Sequence, residues 1–276
     1  MTKPRAMLVV LMTTAAGYFL AQTGETEWWT LTSLLIGAGL SGGGSIVLNQ
    51  FLERDHDRLM VRTQNRPLPS GAVMPLNALI YGILLSFIGT AWLAIGVNAI
   101  TAILGGLCVL SYVLIYTPMK RTTHWNTAVG AIPGAIPPMM GWTAVTGSID
   151  LEAWVLFGVL FLWQYPHFLA LGWMYRKDYA DAGYRMLSRI DLSGERTARQ
   201  VLLNTSLLTV FTLLPASMGW AGVVYAMGAP ILGLGLLALG VAFYRQRSDL
   251  MARLLLRGTI VHITLLMVLL VMDRTS

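Results

Sequence analysis

The chain has 276 residues, of which 55% are hydrophobic and only 12% charged, with 19 Lys and Arg, 13 Asp and Glu, and a net charge of +6. An ordinary soluble domain is roughly 25% charged, so this composition lacks the polar surface a water-soluble globule needs. It excludes a soluble enzyme, and it excludes a nucleic-acid binder despite the positive balance, because long uncharged runs separate the basic residues.

Nine apolar spans follow in chain order, at about 6–22, 29–52, 73–95, 98–117, 125–146, 152–175, 198–217, 221–243 and 254–272. Each is close to the roughly 20 residues a helix needs to cross a hydrocarbon core. The first reads as span one rather than as a cleaved signal, since it ends without a small-residue cleavage site. The fifth is the weakest, interrupted by Pro133, Pro137 and Pro138; a broken helix is tolerated where neighbours satisfy the freed backbone groups. The expected fold class is therefore all-α: a polytopic membrane protein of about nine transmembrane helices, forming one domain over 1–276. The single cysteine, Cys108, lies mid-span, which excludes an internal disulfide or a thiolate metal site.

The connections alternate in length and charge. The short loops near 23–28, 96–97, 147–151 and 218–220 carry or adjoin Glu25, Glu27, Asp150 and Glu152 and hold no Lys or Arg. The long loops, the N-terminus and the opening of the last span hold every basic residue except Arg274 at the tail. Positive residues stay on the cytoplasmic side, so the N-terminus and long loops are expected there. Trp28, Trp29 and Trp220 fit an aromatic belt at the opposite interface.

Three polar knots lie at the cytoplasmic ends of the spans. At the end of the second, Asn49, Glu53 and Asp57 recur every four residues, which places them on one helical stripe. An amide and two carboxylates suit Mg²⁺, which binds through one or two carboxylates together with substrate phosphates. Arg62 and Arg66 follow, again four apart if the helix continues, and arginine forks match phosphate oxygens. After the fourth span come Tyr116, Lys120 and Arg121, where either cation could reach the same phosphate or simply anchor topology. The third knot runs from His167 to Asp178. Eleven residues are about three turns, so these two share a face if the helix persists. An ionisable group inside a span is a functional candidate, and His167 is read as one. His56 is expected to face solvent, His124 to lie in a loop, and His262 to bond a neighbouring helix. Ser41 to Ser45, with three glycines between them, permits close helix contact.

Taken together and in this order, the segments resemble the UbiA superfamily of intramembrane prenyltransferases, in particular its heme-prenylating branch. The resemblance rests on Lys3 to Leu8, Asn49 to Gly71, Tyr116 to Arg121, Gly130 to Trp142, and Pro166 to Leu187, all in register on nine spans. It implies a UbiA-type bundle in a bacterial cytoplasmic (inner) membrane. It implies that farnesyl diphosphate is joined to the 2-vinyl group of protoheme IX (heme b) with addition of water, giving heme O and diphosphate. By the same resemblance, Asn49, Glu53, Asp57 and Asp178 would hold Mg²⁺. Arg62, Arg66, Tyr116, Lys120, Arg121 and Lys177 would bind substrate, and His167 would ligate the heme iron or act as a base. Membrane lipid is expected around the chain, the next heme-modifying enzyme or a terminal oxidase assembly is an expected partner, and nucleic acid is not. Glu53 stands where the family usually has Asp, and His56 where an apolar residue is usual. Tyr165 and Leu169 replace the common Pro and Trp, and His124 replaces a usual Pro. Two other readings stay open: a quinone-pathway prenyltransferase with an aromatic acid as acceptor, and a membrane transporter or heme carrier.

Overall fold

The computed structural model describes residues 1–275, and for Arg5 the backbone alone. The described residues form thirteen α-helices: α1 (Pro4–Ala21), α2 (Trp28–Asp57), α3 (Pro75–Gly96), α4 (Ala99–Leu110), α5 (Thr117–Thr122), α6 (Asn126–Thr146), α7 (Leu151–Met174), α8 (Arg176–Asp181), α9 (Leu187–Ile190), α10 (Glu195–Phe211), α11 (Leu214–Ser217), α12 (Val223–Gln246) and α13 (Asp249–Met272). A π-helical turn, Ser111–Tyr116, joins α4 to α5 in one continuous rod. Helical rods thus occupy all nine expected positions. Seven of them, α2, α3, the α4–α5 rod, α7, α10 with α11, α12 and α13, are long and apolar enough to cross a membrane; α1 is shorter. Outward faces carry large apolar side chains, among them Phe87 at 70% exposure, Leu114 at 63% and Ile231 at 67%. Such a surface is stable in lipid, not in water, and the chain is an integral membrane protein.

Two apolar cores hold the bundle together. One gathers Leu34, Leu93, Leu104 and Met140 from α2, α3, α4 and α6. The other gathers Leu156, Leu208, Leu236 and Leu266 from α7, α10, α12 and α13. Trp142 and Phe157, on α6 and α7, pack against both. Small residues let the helices approach. Gly37, Ser41 and Gly44 on α2 face Gly82, Ser86 and Gly89 on α3, and a Cβ added at Gly44 would fall 2.6 Å from the Ser86 amide nitrogen. The Ser41 to Ser45 stretch is therefore a packing face.

α6 corrects the expectation of a broken span, because it runs unbroken through its three prolines. Pro137 has no N–H for the Pro133 carbonyl, and the Cys108 thiol donates to that oxygen instead at 3.2 Å. Gln164 Nε2 donates to the Ala131 carbonyl at 2.9 Å. The Cys108 bond thus supplies a donor that proline withholds, as a membrane helix requires, and the Gln164 bond adds a second tie to a neighbouring helix.

A charged cleft at one end of the bundle

The long connections, 58–74, 123–125 and 175–194, gather at one end of the bundle with the start of α1. There a cleft of about 170 Å³ opens, walled by α2, the π-helical turn, α5, α7 and residues 179–186. The stripe predicted on α2 is present: Asn49, Glu53 and Asp57 all line it and all are buried, Asp57 completely. Asn49 Nδ2 donates to Thr117 Oγ1 at 3.0 Å, which leaves the amide oxygen for a cation. The π-helical winding sets the opposite wall. It carries Tyr112, Tyr116 and Lys120 into the cleft at successive turns, and the Lys120 ammonium lies 4.5 Å over the Tyr116 ring. Single π-turns inside α-helices recur at functional sites for this kind of re-aiming.

Acid and base are paired across the cleft. Lys120 Nζ stands 2.9 Å from Glu53 Oε1, and Arg66 Nη1 donates to Asp57 Oδ2 at 2.7 Å. Arg62 Nε lies 4.0 Å from Asp178 Oδ2, with its guanidinium over the rings of Tyr175 and Tyr179. Buried charges are tolerable when paired in this way. Asp57 Oδ1 is buried and has no partner. An orphaned carboxylate oxygen beside a second carboxylate and an amide oxygen is an oxygen-donor set that fits a hard divalent cation. No group of three or more His, Cys, Asp or Glu gathers among the described residues, so any such ion would take its remaining ligands from substrate phosphate and water.

Four expected site residues lie elsewhere. Asp178 does not join the α2 stripe and approaches the cleft only through Arg62. His167 and Asp178 share no face, because the helix ends at Met174 and Tyr175 takes a non-helical conformation (φ −107°, ψ 24°). Phe168 and Leu171 of α7 line the cleft. His167 is turned about 100° from Phe168; its Nδ1 lies 2.9 Å from Thr259 Oγ1 on α13, and its ring stacks on Trp163. It ties α7 to α13. Arg121 is turned likewise from Lys120 and donates to the Leu52 carbonyl, clamping α5 to α2 instead of reaching the cleft. Lys177 is exposed on α8. Arg62 and Arg66 do reach the cleft, although α2 has ended and turns carry them there, with Thr63 Oγ1 donating to the Asp57 carbonyl at 2.8 Å.

Among the other histidines, His56 is not solvated: its Nδ1 lies 2.7 Å from the Ala182 carbonyl oxygen, and its ring packs on Tyr184. His262 is buried with no hydrogen-bond partner on either ring nitrogen, contrary to the expected bond. His124 is exposed in the turn before α6, as expected.

Lys3 and Tyr184 are among the cleft residues that escaped the sequence reading. Lys3 caps α1 in a left-handed conformation (φ 47°), which turns its ammonium into the cleft. Burial, with Arg66 and Lys120 nearby, pulls its pKa down to about 8. Tyr184 is 1% exposed, lines the cleft, and has a hydroxyl with no partner; burial pushes its pKa up. The signal for Lys3 was its place beside a helix-starting proline at the start of the first span. Nothing local marked Tyr184.

Buried paired charges thus line a cleft at one end of a helical bundle whose outer faces suit lipid. Residues 10–266 match the UbiA prenyltransferase family, and the chain belongs to that family. It is 42% identical over 99% of its length to the protoheme IX farnesyltransferase of Solibacter usitatus (strain Ellin6076), covering 97% of that protein. It is 41% identical to the protoheme IX farnesyltransferase of Myxococcus xanthus (strain DK1622), over 99% of this chain and 93% of the relative. The fold is similar to that of a digeranylgeranylglyceryl phosphate synthase (TM-score 0.82, 14% identity, 99% of this chain and 95% of the other). It is also similar to that of a UbiA homolog from Archaeoglobus fulgidus bound to GPP and Mg²⁺ (TM-score 0.69, 14% identity, 95% of this chain and 98% of the other).

Proposed function

We propose that this chain transfers a farnesyl group from farnesyl diphosphate to the 2-vinyl group of protoheme IX, with addition of water, giving heme O and diphosphate. The family and the names of the full-length relatives support the reaction. The observation that carries the chemistry is the pairing in the cleft, where Glu53 and Asp57 are each matched by a cation, Lys120 and Arg66. A diphosphate arriving between them would take the two cations for its oxygens, with Lys3 and Arg62 as further positive charges on the same walls. Glu53 and Asp57, relieved of their cations, would hold Mg²⁺ together with Asn49. That ion would supply neutralisation of charge on the leaving diphosphate.

The residues then favour ionisation at the allylic carbon. Preorganised cations stabilise the departing oxyanion more than the bound ground state. The carbon–oxygen bond breaks towards the cationic wall. The allylic cation lies against Phe168, Leu171 and the rings of Tyr112 and Tyr116, which keep water away until the vinyl carbon attacks. The new carbon–carbon bond forms at the terminal vinyl carbon, water adds to the cation left on the carbon next to the macrocycle, and its proton is released. Both substrates are apolar bodies with anionic groups, which accounts for a site at the membrane edge. The site faces the cytoplasm of a bacterial inner membrane in this reading, with nine crossings.

The test is incubation of membranes containing the chain with farnesyl diphosphate, Mg²⁺ and either protoheme or 4-hydroxybenzoate. Farnesylated heme is the expected product by mass. Prenylation of the benzoate alone would overturn the reading. A Glu53→Ala, Asp57→Ala double variant should lose diphosphate release while still accumulating in the membrane.

A further inference from the structure

A second cavity lies beside the cleft, between the starts of α6 and α10 and the middle of α7. Its volume is about 380 Å³, against about 170 Å³ for the cleft. Trp125, Tyr165 and Leu169 form an apolar side, and His124, Arg196 and Arg199 a basic one. Pockets that enclose a drug-sized ligand run from about 300 to 1,000 Å³, so the cleft suits a diphosphate head but not a tetrapyrrole, whereas this cavity reaches that range.

Its charge is unbalanced. Arg196 and Arg199 stand in the first turns of α10, a 17-residue helix whose dipole already makes that end positive. Glu195 pairs with Arg199, but both are solvent-exposed, and such a pair holds weakly. Arg196 has no acidic partner within 4 Å among the described residues. The basic side is built for carboxylates.

Only a thin wall divides the two spaces. Thr127 lines both. A void of about 10 Å³ sits in the wall, bounded by Phe168 of the cleft and by Leu169 and Leu187 of the second cavity. Side-chain movement of Phe168 or Leu187 would join them.

We propose that this cavity is the acceptor subsite. Arg196 and Arg199 take the two propionates of the tetrapyrrole, Trp125 and Tyr165 lie against its macrocycle, and the opposite, vinyl-bearing edge passes the Thr127–Phe168 wall towards the farnesyl carbon. This rests on protoheme being the acceptor and adds where, and by which groups, it is held.

The experiment uses the full chain in nanodiscs, with protoheme and its propionate dimethyl ester as alternative acceptors. Binding is read from the tetrapyrrole absorbance without farnesyl diphosphate, and turnover is read separately. The wild type should favour the free diacid about tenfold or more, the worth of one or two charge-assisted bonds. An Arg196→Gln, Arg199→Gln double variant should lose that preference, with KM for protoheme raised at least about tenfold and KM for farnesyl diphosphate unchanged. If the variant keeps the wild-type preference while turning over protoheme, the subsite is wrong and the function stands. If the variant loses only stabilisation by anionic phospholipid, the arginines serve a lipid headgroup and the subsite is again wrong. If the wild type neither binds nor farnesylates protoheme, the functional reading falls and takes the subsite with it.

Discussion

At the scale of single residues, the cleft separates what a local pattern can specify from what only folding can. Asn49, Glu53 and Asp57 were legible because one helix with a four-residue spacing presents all three on one face. Lys120 and Arg121 were equally plausible in the sequence, but adjacent helical positions diverge by about 100°, and only one can face the cleft. Lys3 and Tyr184 come from segments far from α2 in sequence, and only their packing brings them to Glu53 and Asp57. Tyr184 offers a discriminating substitution. Its hydroxyl is buried and has no partner in the free protein, so its removal costs no existing hydrogen bond. Tyr184→Phe should therefore leave thermal stability unchanged or raise it slightly. If the hydroxyl donates to the bound diphosphate, the same change should raise KM for farnesyl diphosphate by roughly three- to tenfold. A drop in melting temperature with unaltered KM would make Tyr184 a packing residue only.

At the scale of elements, helix positions were readable from apolar run length, and their ends and contacts were not. The expectation that α6 would break at its prolines failed because a compensating donor comes from Cys108, on another helix. The contact of α6 with α1 is equally non-local. A Cβ added at Gly141 would collide with the Thr14 carbonyl oxygen and lie 2.5 Å from the Tyr18 amide nitrogen, both backbone atoms that cannot rotate away. Gly141→Ala should thus push α1 off α6 and cost about 1–3 kcal/mol or more. Gly235→Ala on α12, where nothing lies within 4 Å, should be neutral or gain up to about 1 kcal/mol from helix propensity. Thermal unfolding of the two variants side by side checks the contrast, and equal effects would refute it.

The start of α10 gives a pH-dependent test. Asp191 accepts from the Thr197 amide at 2.7 Å and from the Thr197 hydroxyl at 2.9 Å. Burial works to raise its pKa, but these bonds outweigh it and hold the carboxyl below the ordinary range. A depressed folded-state value means the stabilisation is present above the unfolded pKa of about 3.9 and is lost as pH falls through the folded value. Asp191→Asn should therefore lower the melting temperature at pH 7, and the gap to wild type should close only as pH drops below about 4. A gap independent of pH would mean that shape, not charge, holds this cap.

At the scale of the whole molecule, loop charge and cleft position are two consequences of one arrangement. The cleft lies at the end of the bundle where the long loops meet, bounded by α2 from one apolar core and α7 from the other. Three of the departures from the family pattern, His124, Tyr165 and Leu169, are scattered in sequence yet share the wall of one cavity. No spacing rule could have joined them, because α6 and α7 meet there only after folding.

The cations expected from the positive-inside rule to hold this end in the cytoplasm include ones that line the cleft, so orientation and chemistry cannot be varied independently. Arg62, Arg66 and Lys120 each serve as a retained positive charge and as a wall of the site. An inverted chain would present its cleft to the opposite side of the membrane. Orientation is therefore the property to measure directly, by cysteine labelling in a Cys108→Ser background. Gly24→Cys sits in a short exposed loop with nothing within 4 Å of its Cβ, and Ser70→Cys sits in an exposed long loop at the cleft end. A membrane-impermeant maleimide should label Gly24→Cys in intact cells and Ser70→Cys only after lysis. The reverse pattern would place the cleft outside, and the positive-inside reading would fall with it.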